Sequence, residues 1–423
     1  MKIFTCRRQL MFVVCLLLGC LSMQAADDGL ITEQVTLNGV VAGSLPTIIT
    51  DDNKNLITNL KINGEINGTD LKFIREMAGR SVSGDETEGK LSILDLSDTK
   101  IVSGGKRYFH DMVNGASYFT KDDEIGDNAF YQCSGLKSLT LPDGITLIGE
   151  KAFLSCTGLT NITIPKGVTF IGMSAFIYCR NLTSMTIPTG VTTISSFTFE
   201  GCTSLTNLTL PDGLTKIGDG AFGECSGLTN LTFPSSLTKI GDNAFCECYG
   251  LKSLTLPDGI TEINSYTFAT CLNLTSLTLS ANLTSISLGG FKGCFALKNL
   301  TIPSGLTSLS NLHITDISTT IESVYVSSSV PATAGSFFDG VDLSNCTLYV
   351  PKGMIWNYKL ADVWKNFGKI IEYDTTGIDK VTTRSDVKEI SRFSLDGQRL
   401  TAPTKGMNIV VYSDGSIKKV AVQ

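Results

Sequence analysis

The sequence predicts a mainly β protein: a solenoid of 23-residue repeats with short helical caps, followed by a small C-terminal β module. Three observations carry this. Phenylalanine recurs at Phe130, Phe153, Phe176, Phe199, Phe222, Phe245, Phe268 and Phe291, every step 23 residues. Cysteine follows three residues later each time, from Cys133 through Cys156, Cys179, Cys202, Cys225, Cys248 and Cys271 to Cys294. Two aliphatic residues spaced by two then precede a proline, as in Leu139, Leu141 and Pro142. Ser280 is the one exception to that proline between Pro142 and Pro303.

The repeat has a direct physical reading. Leu139-Thr140-Leu141 alternates, so it is a short strand with the leucines inward and the threonine outward. Proline ends the strand because it cannot donate to a ladder. The following aliphatics, such as Ile145 and Ile148, return along the opposite side and bring Phe inward. One unit cannot bury its apolar face alone, so neighbours must share a continuous core. A stack of phenylalanines should run along that core.

A period of 20–29 residues with L-x-x-L-x-L is the leucine-rich repeat signature. The fuller unit A-F-x-x-C-x-x-L-x-x-L-x-L-P, as in Ala129-Phe130-Tyr131-Gln132-Cys133-Ser134-Gly135-Leu136, resembles the BspA-like leucine-rich repeats of bacterial surface proteins, Bacteroidetes type. The resemblance spans residues 125–312. Residues 67–79 also resemble the segment that precedes the repeats in such proteins. It implies an exported, surface-exposed binding protein of the adhesin kind.

At the N-terminus, Lys2, Arg7 and Arg8 precede an apolar run from Leu10 to Leu18, which reads as a signal peptide over residues 1–25. Two cleavage readings compete: small residues at Ala25-Ala26, or Leu17-Leu18-Gly19-Cys20, which resembles a bacterial lipobox and would leave a lipidated Cys20. Residues 26–124 are read as an N-terminal cap with divergent first repeats. There Thr69 or Asp70 caps a helix bearing Leu71, Ile74 and Met77 on one face, with Gly79 as its stop. Leu91-Ser92-Ile93-Leu94-Asp95-Leu96 is a divergent repeat strand. Residues 102–124 break the register and are read as an irregular loop, whose Tyr108, Phe109, His110, Tyr118 and Phe119 either pack on the solenoid flank or serve a function.

After the solenoid of residues 125–312, residues 313–374 are read as divergent repeats and a C-terminal cap. Residues 321–326 and 346–351 still look like repeat strands. Trp356, Leu360, Trp364 and Phe367 fall at near-helical spacing, so a helix closing the core is expected. Residues 377–423 carry Asp396-Gly397 and Asp414-Gly415 as hairpin turn signals between strand-like runs. This segment resembles the C-terminal sorting-type β modules of exported Bacteroidetes proteins, which implies an anchoring role.

Composition excludes several functions. The formal charge is -6 with a pI near 5.1, and loss of the basic leader makes the chain more acidic, so nucleic acid is not an expected partner. His110 and His313 are the only histidines, which leaves little for metal clusters or nucleophilic dyads. Export permits disulfides. Parallel side chains about 4.8 Å apart fit disulfide torsions poorly, so the repeat cysteines are expected to be free, buried thiols. No G-x-S-x-G, H-E-x-x-H or P-loop is present. Catalytic residues, metal ligands and cofactors are therefore expected to number none, and the chain is not expected to be an enzyme.

The outward strand position is Thr140, Thr163, Thr186, Thr209, Thr232, Thr255, Thr278 and Thr301, threonine in all eight units. Its neighbour is Ser or Asn, from Ser138 and Asn161 to Asn299. One reading is strand propensity with cross-strand Thr–Thr contacts. The other is an extended inner face that hydrogen-bonds a glycan or protein. The expected function is an exported or cell-surface binding protein, adhesin-like, whose partner is an extracellular host or microbial protein or glycan. The alternative is a structural scaffold or spacer without its own ligand. A monomer, secreted or attached to the outer membrane through lipidated Cys20 or the C-terminal module, is expected.

Overall fold

The computed structural model describes residues 29–309, 321–373, 389–393, 399–400, 402, 406–412 and 417–422. The leader over residues 1–25, residues 313–320 and the turn pairs Asp396-Gly397 and Asp414-Gly415 lie outside the described residues. The chain forms two compact units, Met1–Tyr373 and Asp374–Gln423. In the second, four strands pair antiparallel in the order Arg399–Leu400, Glu389–Phe393, Gly406–Tyr412, Ile417–Val422.

The first unit is a succession of short parallel strands wound into a solenoid with three ladders. The front ladder is the strand the alternation predicts, such as Ser138–Thr140, whose Leu139 is buried and whose Thr140 is exposed. A second ladder comes from two-residue strands such as Leu147–Ile148, which pairs with Phe170–Ile171. The third ladder is made of turns. There the N–H groups of Asn128, Phe130 and Gln132 donate to the carbonyls of Glu150, Ala152 and Leu154 at 2.7–2.9 Å. The same three bonds recur at every joint as far as Tyr266, Phe268 and Thr270, which donate to Leu288, Gly290 and Lys292.

The turn ladder is directional. Its residues alternate between right- and left-handed backbone, with positive φ two residues before and after each phenylalanine, as at Asn128 (57°) and Gln132 (58°). This alternation turns every ladder N–H toward the C-terminal end and every ladder C=O toward the N-terminal end. Non-glycine residues in this conformation cost about 1–2 kcal/mol each, which the three bonds per turn offset. The front and second ladders are interrupted along the solenoid, while the turn ladder runs from Asn128 to Lys292 without a gap.

The eight phenylalanines stack beneath this ladder. Successive centroids lie 4.9–5.5 Å apart with interplanar angles of 5–14°. Phe199 lies between Phe176 and Phe222 and is fully buried. Phe199→Ala should therefore cost about 3–5 kcal/mol through the cavity it leaves; chemical denaturation checks this, and a loss below about 1 kcal/mol would remove Phe199 from the core. Among the described residues, the cysteines are all free. From Cys156 to Cys294, each repeat thiol donates to the phenylalanine carbonyl of the preceding repeat, as Cys156 does to Phe130 at 3.0 Å and Cys225 to Phe199 at 3.1 Å. A small residue with a weak donor suits this site, which explains cysteine rather than alanine.

The N-terminal cap lies within the residues 26–124 assigned to it, and its first element is a strand. The front sheet opens with Val35–Val40 and Asn59–Ile66, which pair parallel with each other and lead into Ile93–Asp95 and Ser138–Thr140. The cap helix is Gly68–Met77, and its N-cap is Asn67 rather than Thr69 or Asp70. Asn67 accepts from the Thr69 N–H, and Asp70 reaches back to the Asn67 N–H, which makes a reciprocal capping box. Leu71, Ile74 and Met77 are buried as expected. Residues 102–124 are not an irregular loop. Gly104–His110 and Ser117–Thr120 form an antiparallel hairpin, and Asn114-Gly115 lies in its turn. Tyr108 and Phe109 are buried on the solenoid side, and Phe119 is exposed.

This cap solves the problem that a directional ladder creates. The first turn exposes the carbonyls of Asp127, Ala129 and Tyr131, with no repeat before it to donate to them. The Tyr108 hydroxyl donates to Asp127 at 2.8 Å. The Arg75 guanidinium donates to Asn128 and Ala129 at 2.9 and 3.0 Å and reaches Tyr131 at 3.5 Å. Arg80 Nε donates to Gln132 at 2.9 Å. Arg75 is fully buried and has no carboxylate partner among the described residues. Burial pulls its pKa down, and the aligned carbonyl dipoles supply the negative potential that holds the charge. Its guanidinium also lies 4.9 Å from the Phe109 ring centroid.

At the other end, the parallel front sheet closes with Ser323–Val326, Thr347–Pro351 and Lys369–Tyr373. The expected four-residue apolar stripe is only half right. Trp364 and Phe367 are buried, and the Trp364 indole donates to Ala332 at 2.9 Å. Trp356 and Leu360 are 66% and 78% exposed. The helix Ile355–Leu360 turns Tyr358 inward instead, and Val363 at φ 70° redirects the chain before Trp364.

Candidate functional site

The eight threonines of the front column lie where the sequence places them, outward on the front strands. Thr140, Thr163, Thr186, Thr209, Thr232 and Thr255 are exposed, and Thr278 and Thr301 are half-buried. The register aligns them directly: Thr163 opposes Thr140, Thr209 opposes Thr186 and Thr278 opposes Thr255. Paired strands lie about 4.8 Å apart, so this column is a row of hydroxyls at that spacing.

A second row of threonines behaves differently from this column. Three residues before the front position, Thr160, Thr183, Thr206 and Thr275 donate their hydroxyls to main-chain carbonyls of the preceding repeat at 3.0–3.3 Å. Asn161, Asn207 and Asn230 donate their amides to the adjacent threonine hydroxyls. Those groups are committed to the fold. Among the described residues, no hydroxyl of the front column takes part in a hydrogen bond within the chain. Cross-strand Thr–Thr hydrogen bonds therefore do not account for the column, and its hydroxyls face solvent.

The column continues past the last threonine. Tyr325 opposes Thr301, and Tyr349 opposes Tyr325. The two rings stack at 4.4 Å with 5° between planes, and Tyr373 meets them edge-on at 6.0 and 6.5 Å. Burial raises the Tyr325 pKa, and Tyr349 adds to the rise. Periodicity of threonine alone hides this aromatic end; the alternation in residues 323–326 and 347–351 is the signal that reveals it.

Of the interrupted joints of the front ladder, one has no backbone hydrogen bond at all. The strand Asn207–Thr209 pairs only with Ser184–Thr186, and no backbone hydrogen bond joins residues 206–210 to residues 229–233. A cleft of about 650 Å³ lies there, lined by Asn207, Thr209, Asn230 and Thr232, with Leu208, Leu210 and Phe233 beneath. Leu208 and Leu210 are only partly buried as a result. A smaller cleft of about 350 Å³, on the other side of residues 230–233, reaches Thr255. The back of the joint stays closed, because Lys216 and Ile217 pair with Lys239 and Ile240 and the turn ladder continues from Gly220 to Asp242.

The cleft lining carries one ionisable side chain, Asp212, and the rest are hydroxyls, amides and apolar groups. Among the described residues, no group of three or more His, Cys, Asp or Glu could hold a metal, and no helix is long and apolar enough to cross a membrane.

The family described as BspA type Leucine rich repeat region matches residues 123–251 and 215–344, in six copies. Among solved structures, a T. pallidum Leucine Rich Repeat protein is 32% identical, over 41% of this chain and 71% of that one, with a TM-score of 0.31. A leucine-rich repeat protein from Bacteroides ovatus is 20% identical, over 83% and 94% of the two chains, with a TM-score of 0.39. A leucine rich cell surface protein from Faecalibacterium prausnitzii is 24% identical, over 70% and 83%, with a TM-score of 0.30. No curated protein matches the chain.

Proposed function

Since the chain belongs to the BspA-type leucine-rich repeat family, we propose that it is an exported, cell-surface binding protein whose front face recognises an extracellular protein or glycan. The observation that carries this reading is the column from Thr140 to Thr301, whose hydroxyls are free of internal hydrogen bonds while the neighbouring threonines are engaged. A repeated row of uncommitted donors and acceptors matches a long polar ligand, because each repeat adds an equivalent contact. Asp212 and the scattered surface charges contribute little to such a surface, so recognition rests on hydrogen bonding and on the tyrosines at its end. The signal peptide over residues 1–25 and the family's surface proteins support export, and lipidated Cys20 or the C-terminal module would supply attachment to the outer membrane.

The experiment is a screen of the mature protein against an array of extracellular-matrix proteins and glycans, repeated with a Thr186→Lys/Thr209→Lys/Thr232→Lys variant. Three exposed lysines leave the core intact but fill the row with charge. Binding to the captured component should fall at least tenfold. Unchanged binding by the folded variant would favour a spacer role for the repeats, with contacts made elsewhere.

A further inference from the structure

We propose that the cleft between residues 206–210 and 229–233 accepts an extended peptide segment, which adds as a strand to the open edge of Asn207–Thr209. This deepens the proposed function, since it names the ligand class for one part of the same front face, and it rests on that reading. Four observations converge. The cleft is walled on both sides by main chain without one backbone hydrogen bond across it; Ile187 donates to Thr209 at 3.0 Å and Leu256 to Thr278 at 2.9 Å, and even the loosened joints keep Thr183 N–H on Thr160 and Lys252 N–H on Thr229, whereas Leu210 makes no such bond to Thr232. A strand edge with open N–H and C=O groups is complementary to another peptide backbone before it is complementary to anything else. The floor is apolar, with Leu208, Leu210 and Phe233, and the rim is hydroxyl and amide. This suits a segment that alternates apolar and small polar side chains. The opening is also confined to the front, because the second ladder and the turn ladder remain closed behind it.

The sequence supplies the cause. The second inward position of the front strand is Leu141, Ile164, Ile187, Leu210, Phe233, Leu256, Leu279 and Ile302. Phe233 is the one aromatic residue in that column. Its ring lies edge-on to Phe245 of the central stack, with centroids 5.6 Å apart. A ring in a slot that holds an aliphatic side chain elsewhere wedges the front of the joint apart while the stack behind it holds.

The test uses the full mature chain and a fluorescein-labelled peptide, Asn-Leu-Thr-Leu-Pro, which has the sequence of residues 207–211 and the alternation of the strands that border the cleft. Fluorescence anisotropy should show saturable binding. Methylating the peptide's threonine amide nitrogen should weaken it at least tenfold, because strand addition needs that donor. Phe233→Leu should abolish binding and should raise hydrogen-exchange protection at residues 206–210 and 229–233 as the joint closes. Binding that is insensitive to methylation or to Phe233→Leu would overturn the proposal. So would absence of peptide binding together with Phe233→Leu-sensitive binding of a neutral oligosaccharide such as maltohexaose. Thr186 lies outside the cleft lining, so the two readings separate. If Thr186→Lys reduces capture of an array ligand and Phe233→Leu leaves the peptide bound, the front face stands as a binding surface and the cleft proposal falls.

Discussion

Raising the pH above about 9 should unfold the repeat region, and much more steeply than ordinary surface titration would. Burial pushes the thiols of Cys156, Cys179, Cys202, Cys225 and Cys248 well above their ordinary value, and the preceding cysteine of the ladder adds to the shift in each. In the unfolded chain the same thiols titrate near about 8.5. Their folded pKa values are thus raised. The stabilisation is complete below the unfolded pKa and is lost as pH rises toward the folded values, because only the unfolded chain releases those protons. Each thiol contributes a slope of about 1.4 kcal/mol per pH unit once its unfolded form is ionised. Five together approach about 7 kcal/mol per unit, comparable to the whole stability of many domains. Urea midpoints at pH 7.5, 8.5, 9.0 and 9.5 check this. Replacing Cys179, Cys202 and Cys225 by alanine should remove about three-fifths of that slope. A midpoint that does not move between pH 7.5 and 9.5 would mean that these thiols are oxidised or accessible.

Arg75→Met should cost about 2–5 kcal/mol, among the largest effects of any single substitution in the cap. The methionine fills much of the volume but donates nothing. Losing the guanidinium strips a donor from the carbonyls of Ser81, Asn128, Ala129 and Tyr131; Ser81 and Asn128 still accept from the Gly84 and Tyr131 N–H groups, so Ala129 and Tyr131 are orphaned, at about 1–3 kcal/mol each. Relief from burying a charge offsets part of that sum. Arg75→Lys should recover only some of the loss, because an ammonium cannot span the set of carbonyls that the planar fork reaches. Chemical denaturation measures the total. Hydrogen exchange should show the loss spreading from residues 127–132 inward, since the N–H groups of each turn hold the carbonyls of the next. A cost below about 1 kcal/mol would mean that water satisfies the ladder end and Arg75 is dispensable.

The parts of the fold that were legible in the sequence are those that repeat with a chemical identity. Phenylalanine, cysteine and the alternating leucines mark the stack, the thiol row and the front strands, because each occupies a site that only that residue type fills well. The turn ladder left no such mark. Most of its left-handed positions carry Asn, Gln, Lys, Ser, Tyr, Phe, Glu or Thr rather than glycine, so the usual signal for positive φ is missing. Glycine marks only the close approach nearby: a Cβ at Gly149 or Gly241 would lie 2.4 or 2.2 Å from an aspartate oxygen of the preceding repeat. The hairpin at residues 104–120 was hidden by its aromatic and charged content, although Asn114-Gly115 is a turn signal. At the C-terminal cap, helical spacing over four residues overestimated a helix that ends at Leu360. The front threonines were legible as outward, but spacing alone could not separate committed from free hydroxyls. That distinction depends on which carbonyl lies within reach, and Phe233 shows how one residue out of pattern changes the surface.

The central claim is that the front face is where this protein binds. Amide hydrogen exchange on the mature chain, with and without the component captured in the array screen, tests it most directly. The account predicts added protection on the front strands from Ser138–Thr140 to Ser276–Thr278, with the two-residue strands of the second ladder, such as Leu147–Ile148 and Lys216–Ile217, unchanged. Protection confined to the second ladder, to the turns or to the C-terminal module would contradict it.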